Sequence, residues 1–325
     1  MTRPLRLGTR RSALATTQSS WVADALRRNG YEVELVEITT HGDVNRAPLA
    51  QIGGTGVFVS ALRDALLAGA VDLAVHSLKD LPTAAADGLV LGAVPEREDP
   101  RDVLVAAGRT LAELPHGARV GTGSPRRRAL LLALRPDLDV IAVRGNIDTR
   151  IGYADSGELD AVVLAAAGLA RIGRSGEVSE TFGPAEFVPA PGQGALAVEC
   201  RADDAEVVAA LAALDVPAVR RAVAAERQVL ASLEAGCSAP VGAHVSGGVL
   251  HVAVEDPDGA LVRRTVPFVD VADEDSARRV GAAVAADLLE HELAQTPVAV
   301  GGGAQENHPL DRLADGPRPD PESGS

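Results

Sequence analysis

Short apolar segments alternate with amphipathic stretches through the first two thirds of this 325-residue chain. The run at 71–75 has the length of a buried strand, whereas 124–134 and 147–155 have helical periodicity. Two segments interrupt the alternation: a charged one at 96–102, broken by a proline, and a Pro/Gly-rich one at 189–195. This order predicts two α/β lobes with parallel sheets, joined by two hinges through which the chain crosses over and returns.

The last third of the chain has a different pattern. A strongly amphipathic helix begins at Pro217, and three short strands and another helix follow it, which predicts a small α+β third domain. The predicted boundaries are 1–95 and 195–215 for the first lobe, 101–189 for the second lobe, 217–296 for the third domain, and 297–325 for a disordered tail.

Composition excludes several classes of protein. The net charge of −14 disfavours nucleic acid as a partner, no apolar stretch is long enough to cross a membrane, and the N-terminus has no apolar signal segment. The two cysteines make no disulfide framework, which fits a reducing cytosol, and the seven histidines form no metal-binding pattern. We therefore expect a cytoplasmic, monomeric protein that binds a small molecule in the cleft between its lobes.

Polar residues follow directly after the apolar run that ends at Val75. His76, Ser77, Lys79 and Asp80 come at the predicted end of a strand, where open α/β sheets place their ligands. Lys79 is the one lysine among 31 basic residues, so a compact ammonium is used here in a chain whose usual cation is arginine. A solvated lysine that survived by chance is the alternative interpretation.

Arginines cluster where strands pass into helices. In G-T-G-S-P-R-R-R (121–128), Ser124 is a good N-cap, and three arginines occupy the first helical turn, where the helix dipole disfavours cations. This arrangement predicts an anion site, with an exposed basic helix end as the alternative. Arginines also occur in V-R-G-N-I-D-T-R (143–150), at Arg10 and at Arg171, so a ligand bearing several carboxylates or phosphates is expected.

The two cysteines have different surroundings. Cys200 ends the apolar run A-L-A-V-E-C and is expected to be buried. Cys237 lies in a G-C-S-A-P turn, where an accessible thiol could undergo covalent chemistry or could equally be a chance loop residue.

Taken together, these motifs resemble the porphobilinogen deaminase (hydroxymethylbilane synthase) family, in order from about residue 5 to 295. The matching segments are R-L-G-T-R-R-S-A-L-A (6–15), D-L-A-V-H-S-L-K-D-L-P (72–82), E-R-E-D-P-R-D (96–102), G-T-G-S-P-R-R (121–127), V-R-G-N (143–146), P-G-Q-G-A (191–195) and L-E-A-G-C-S-A-P-V-G (233–242).

The resemblance implies two lobes like those of periplasmic binding proteins and a specific reaction. Members condense four porphobilinogen molecules head to tail, with loss of ammonia, to the linear tetrapyrrole 1-hydroxymethylbilane. The primer is a dipyrromethane cofactor, held by a thioether to the cysteine that matches Cys237. Because each pyrrole carries an acetate and a propionate, an arginine-lined cleft is expected even in an acidic protein. The implied partner is the small molecule porphobilinogen, with neither nucleic acid nor membrane.

The resemblance also assigns residues. Asp80 would be catalytic, since a carboxylate stabilises the cationic pyrrole species formed when ammonia leaves. The implied cofactor-binding residues are Cys237, Ser77, Lys79, Asp80, Thr122, Ser124, Arg126, Arg127, Arg144, Gly145 and Asn146. The implied substrate-binding residues are Arg10, Ser12, Arg150, Arg171 and Gln193, and no metal is expected.

Four positions depart from the family pattern. Gln51 and Thr55 replace loop lysines, Gly123 replaces a hydroxyl residue, and Asp148 replaces a glycine. The alternative function is a two-lobed polyanion- or solute-binding protein without catalysis, against which Asp80, Cys237 and the third domain argue. A phosphate-ester enzyme would be expected to show a metal site or a P-loop, and the sequence has neither pattern.

Overall fold

The computed structural model describes residues 3–38, 56–234 and 239–295, so Gln51, Thr55, Cys237 and the predicted tail lie outside the described residues. The strands are β1 (Leu5–Thr9), β2 (Val33–Glu37), β3 (Leu73–Ser77), β4 (Leu89–Ala93), β5 (Asp102–Val105), β6 (Arg119–Gly121), β7 (Asp139–Ile141), β8 (Ala161–Ala165), β9 (Glu180–Thr181), β10 (Leu196–Arg201), β11 (Val241–Ser246), β12 (Val249–Glu255) and β13 (Leu261–Pro267). The helices are α1 (Ala13–Arg28), α2 (Gly56–Leu67), α3 (Pro125–Leu134), α4 (Ile147–Asp155), α5 (Ala166–Arg171), α6 (Ala205–Ala212), α7 (Pro217–Ser232) and α8 (Glu274–Gln295).

These strands form two five-stranded sheets and one three-stranded sheet. The first has the order β2-β1-β3-β10-β4, the second β7-β6-β8-β5-β9, and the third is the antiparallel meander β11-β12-β13. Helices accompany each sheet, so the fold is the predicted pair of α/β lobes with a small α+β unit. The residue boundaries of the domains stay a prediction.

The prediction of purely parallel sheets is wrong, because each lobe contains one strand that enters from the other lobe. In the first sheet, β1, β2 and β3 are parallel, but β10 runs antiparallel to β3, with Leu196 opposite Ser77. In the second sheet, β5 runs antiparallel to β8, with Asp102 opposite Ala165. Both hinges therefore enter their sheets at the edge where the parallel strands end, which is where α/β folds bind ligands.

Several elements differ from the sequence-based expectation. β3 continues through His76 and Ser77, so the polar motif begins inside the strand rather than after it. The short helix α5 and the two-residue strand β9 were not predicted, because neither is long enough to show a periodicity. Ser124 caps α3 as predicted, and its hydroxyl accepts a hydrogen bond from Arg127 N at 3.4 Å.

The cores consist mainly of Leu, Val and Ala, as the low aromatic content requires. One aromatic pair, Phe182 and Phe187, stacks in the second lobe with ring centroids 4.5 Å apart. Among the described residues, none of the helices combines the length and the apolar character needed to span a membrane.

Candidate active site

The two hinge segments, 96–102 and 189–195, contact each other between the lobes. Gly194 has φ of +85°, and a Cβ atom there would lie 2.3 Å from the carbonyl oxygen of Glu98, so only glycine fits without a backbone shift. Glu98 N donates to Gly194 O at 3.2 Å, and the Arg171 guanidinium donates to the same oxygen at 2.7 Å. Arg171, predicted to bind substrate, therefore contacts the hinge in this structure.

A buried carboxylate on α7 ties the hinges to the third domain. Glu226 is fully buried, and both of its oxygens accept hydrogen bonds from Arg97, at 2.8 and 2.9 Å. Gly192 N and the His244 ring nitrogen also contact this carboxylate, at 2.8 and 3.1 Å. Burial alone would raise the pKa of Glu226, but Arg97 and His244 outweigh it and lower the pKa to about 2.

Hydrogen bonds from α7 hold the backbone of the turn that carries Asp80. A short 3-10 helix, Leu78–Asp80, follows β3, and the Leu78 side chain is fully buried. The Arg227 guanidinium of α7 donates to the carbonyls of Leu78, Leu81 and Pro82, at 3.1, 2.9 and 2.7 Å. Because the backbone is held in this way, the exposed Asp80 side chain is presented from a rigid turn at the sheet edge.

One cation from each lobe interacts electrostatically with Asp80. Burial lowers the pKa of the neighbouring Lys79 to about 8, although the Asp80 charge opposes this shift. Burial likewise lowers the pKa of Arg150 on α4, again opposed by Asp80. The structure therefore brings Lys79 of the first lobe and Arg150 of the second lobe into the electrostatic field of one carboxylate.

Two of the arginines predicted to bind ligand form a buried cluster with Asp102. Arg126 Nη1 donates to Asp102 at 2.7 Å, and Arg127 Nε donates to it at 2.9 Å. The carbonyls of Val188 and Val163 accept further N–H groups, at 2.7 and 3.0 Å. Burial alone would raise the pKa of Asp102, but the two guanidiniums lower it to about 2. The counter-anion expected at this helix start is thus supplied, at least in part, by the protein itself.

We predict that Asp102→Asn destabilises the second lobe by about 3–5 kcal/mol, because two buried guanidiniums lose their counter-charge. Chemical unfolding at pH 7 measures this loss. The folded pKa of about 2 lies below the ordinary value of 3.8, so the contribution is present above about pH 4 and is lost as the pH falls towards 2. The variant should lack this acid-dependent part.

A matched control is Asp148→Asn, which removes an exposed carboxylate paired with Arg174 at 3.0 Å in the same lobe. This variant should unfold almost as the wild type does. Equal stability of the Asp102 and Asp148 variants would contradict the account of the buried cluster.

The other predicted cofactor-binding residues lie where the second sheet meets α3 and α4. Thr122 is buried, and its hydroxyl accepts from Ser124 N at 3.2 Å. Asn146 caps α4 by accepting from Thr149 N at 2.8 Å, and Gly145 O accepts from Arg150 Nε at 3.0 Å. These residues are therefore brought together around two neighbouring helix starts. The Arg144 side chain beside them is exposed.

On the first lobe, the predicted residues lie at the ends of β1 and β3. Arg10 directly follows β1 and is half-buried, and Ser12 caps α1 by accepting from Ala15 N at 3.3 Å. Ser77 ends β3 and accepts from Gln18 Nε2 at 2.8 Å. Gln18 thus supports the site from α1, and only its place on a predicted helix distinguishes it in the sequence.

Comparison with known proteins decides which family this arrangement represents. Residues 5–209 match the family model described as "Porphobilinogen deaminase, dipyromethane cofactor binding domain", and 220–290 match its C-terminal domain. The chain belongs to the porphobilinogen deaminase family.

Individual relatives agree with this assignment. Porphobilinogen deaminase 1 of Streptomyces coelicolor is 66% identical over 245 residues, which are 74% of this chain and 77% of that protein. Porphobilinogen deaminase of Thermobifida fusca is 54% identical over 318 residues, which are 94% of this chain and 99% of that protein. Among solved structures, a periplasmic substrate-binding protein of an ABC transporter from Coxiella burnetii is 17% identical, with a TM-score of 0.42, over 66% of this chain and 93% of that chain.

Two departures from the porphobilinogen deaminase pattern have local explanations. A Cβ atom at Gly123 would lie 2.6 Å from the carbonyl oxygen of Val143, so a serine would force the backbone apart. Asp148 lies in the first turn of α4, where an acid is favoured by the helix dipole, and pairs with Arg174.

The residues present fit a dipyrromethane bound beside Asp80. Two pyrroles carry four carboxylates, which require several cationic donors. Lys79 and Arg150 lie in the field of Asp80, and Arg144 is exposed close to the start of α4. The buried Arg126 Nε has no hydrogen-bond partner among the described residues, so one donor of the cluster is still available. This donor set suits an anionic ligand.

The cysteine that would hold the cofactor lies outside the described residues, between α7 and β11. The other cysteine, Cys200, is fully buried in β10, and burial raises the pKa of its thiol to about 11. A thiol with so high a pKa is a poor nucleophile, so Cys200 is unsuited to cofactor attachment.

Proposed function

We propose that this member of the porphobilinogen deaminase family condenses four porphobilinogen molecules into 1-hydroxymethylbilane, with Asp80 as the catalytic group and Cys237 as the point of cofactor attachment. The observation that carries the proposal is the exposed carboxylate of Asp80 on a rigid turn, with one cation from each lobe in its field.

Each condensation joins the aminomethyl carbon of one porphobilinogen to the free α carbon of the growing chain. The carbon–nitrogen bond breaks, ammonia leaves, and the attacked pyrrole loses a proton. When bound, the dipyrromethane supplies the first free α carbon. After four additions, hydrolysis would release the tetrapyrrole as the hydroxymethyl compound, and Cys237 would keep the dipyrromethane on the protein.

Asp80 would act at the step in which positive charge develops on the pyrrole. A carboxylate that accepts hydrogen bonds from pyrrole N–H groups stabilises this charge and can receive the ring proton. Lys79 and Arg150, which interact with this carboxylate, would bind the acetate and propionate groups of the ligand.

The remaining arginines would divide between ligand binding and structure. We propose that Arg10, Arg144 and Arg150 contact ligand carboxylates directly, together with the hydroxyl of Ser12. Arg126 would contribute its Nε–H group, which has no partner among the described residues. Arg127, in contrast, donates to Asp102 and to the carbonyl of Val163. The enzyme would work in the cytoplasm as a monomer.

The direct test is the stoichiometry of ammonia release from porphobilinogen. The proposal predicts one ammonia for each porphobilinogen consumed and one linear tetrapyrrole for every four. Tight binding of porphobilinogen without ammonia release would instead favour a two-lobed binding protein that has lost catalysis.

A further inference from the structure

Gln193 occupies a fixed position where the two hinges meet. It is buried, with 1% of its surface exposed, and lies between Gly192 and Gly194, both of which have positive φ. Its backbone N donates to Ala190 O at 2.9 Å, and its carbonyl oxygen accepts from Arg97 Nε at 2.9 Å. The side chain therefore starts from a backbone that is held on both sides.

The surroundings of the Gln193 amide determine which way it points. Its Nε2 donates to the carbonyl of Pro100 at 2.7 Å and to Asp102 Oδ1 at 2.9 Å. Both partners are pure acceptors, so the nitrogen must face them and the oxygen must face the other way. There, Oε1 accepts from Lys79 Nζ at 3.3 Å.

This arrangement leaves Gln193 no donor for a substrate carboxylate. A carboxylate can only accept hydrogen bonds, and both amide hydrogens already have partners inside the protein. A direct contact with substrate would break the bond to Pro100 or to Asp102.

We infer that Gln193 is a positioning residue, whose side-chain oxygen holds the Lys79 ammonium beside Asp80 and whose nitrogen anchors it to the second lobe. The inference rests on the proposed function, because Lys79 matters only if the carboxylate next to it is catalytic. It replaces the direct substrate-binding role that the sequence suggested for Gln193.

Opposing interactions determine whether the Lys79 side chain is charged. Burial disfavours the ammonium, Arg126 and Arg127 repel it, and Asp80 and Asp102 attract it. The carbonyl dipole of Gln193 adds a contact that favours the charged form. Removing this contact without changing the size of the side chain should therefore lower the pKa of Lys79.

The experiment exploits the fact that Lys79 is the protein's only lysine. Holoenzyme labelled with ¹³C at lysine Cε gives one side-chain signal, whose shift with pH reports the pKa of Lys79. We expect Gln193→Met to lower this pKa by roughly one pH unit. Gln228→Met is the matched control, since the Gln228 amide donates to Ser232 within α7, and this variant should leave the signal unchanged.

Steady-state kinetics separate positioning from substrate binding. Positioning predicts that Gln193→Met lowers kcat by about tenfold or more and changes KM for porphobilinogen less than about threefold. A rise in KM with an unchanged Lys79 pKa would overturn the inference. So would a lowered thermal midpoint with unchanged pKa and kcat, since that is the result of a merely structural role.

Two further observations cover the cases in which the variant does not fold or the wild type is inactive. If the Gln193→Met variant does not fold, a crystal structure of wild-type holoenzyme with bound substrate decides: Gln193 Oε1 on Lys79 supports the inference, and a hydrogen bond from Gln193 to a substrate carboxylate overturns it. If the wild type releases no ammonia from porphobilinogen, the proposed function fails. The lowered pKa of Lys79 in the Gln193→Met variant would still show the Gln193–Lys79 contact.

Discussion

Replacement of Asp80 by Asn is expected to lower kcat for ammonia release by about a hundredfold to a thousandfold. The amide has the size of the carboxylate and fits the same exposed position on the 3-10 turn, so the fold should be unaffected. What it lacks is the negative charge that stabilises the cationic pyrrole, and losses of this size are typical when one such electrostatic contact is removed. Single-turnover measurements would place the loss in the chemical step.

Asp87→Asn is the matched control for this prediction. Asp87 is an exposed carboxylate seven residues further along the same lobe, so its variant carries the same change of net charge. It should retain wild-type turnover. If the Asp80 variant turned over at the rate of the Asp87 variant, Asp80 would not be the catalytic group.

Replacement of Cys237 by Ser is expected to abolish turnover, because the hydroxyl cannot replace the soft thiolate that attacks the electrophilic carbon of the primer. Without a covalent primer, the growing chain has no anchor, and ammonia release should fall to the background of the assay. The same exchange at Cys200 should preserve activity, at the cost of some stability from a hydroxyl in the core. An active Cys237→Ser variant together with an inactive Cys200→Ser variant would show that Cys200, and not Cys237, holds the cofactor.

Much of the fold follows from local patterns in the sequence. Apolar runs bounded by glycine or proline located most of the strands, and Ser124 and Asn146 are the N-caps of α3 and α4, as their positions before helical stretches indicate. The antiparallel direction of β10 and β5 cannot be predicted from such patterns. The direction depends on the edge at which each strand enters its sheet, and hence on how the chain crosses between the lobes. Periodicity carries no information on this crossing.

The sequence predicts which residue types line the candidate site, but it does not predict how these residues pair with one another. Clustered arginines indicate an anion, yet a sequence does not show whether the anion is a ligand or a buried side chain. Asp102 stands at the end of a charged linker, and only the folded structure places it against Arg126 and Arg127. The donors of Gln193 are likewise committed to partners in the first hinge and the second lobe, which no local pattern reveals.

The measurement that tests the central claim most directly is the mass of the intact protein, before and after addition of limiting porphobilinogen. The account predicts that wild-type protein is heavier than its sequence by two linked pyrrole units. Limiting substrate should then add species that carry one, two and three further units, whereas Cys237→Ser shows only its sequence mass throughout. Active wild-type protein at its unmodified sequence mass, with no heavier species during turnover, would contradict assembly on a covalent primer.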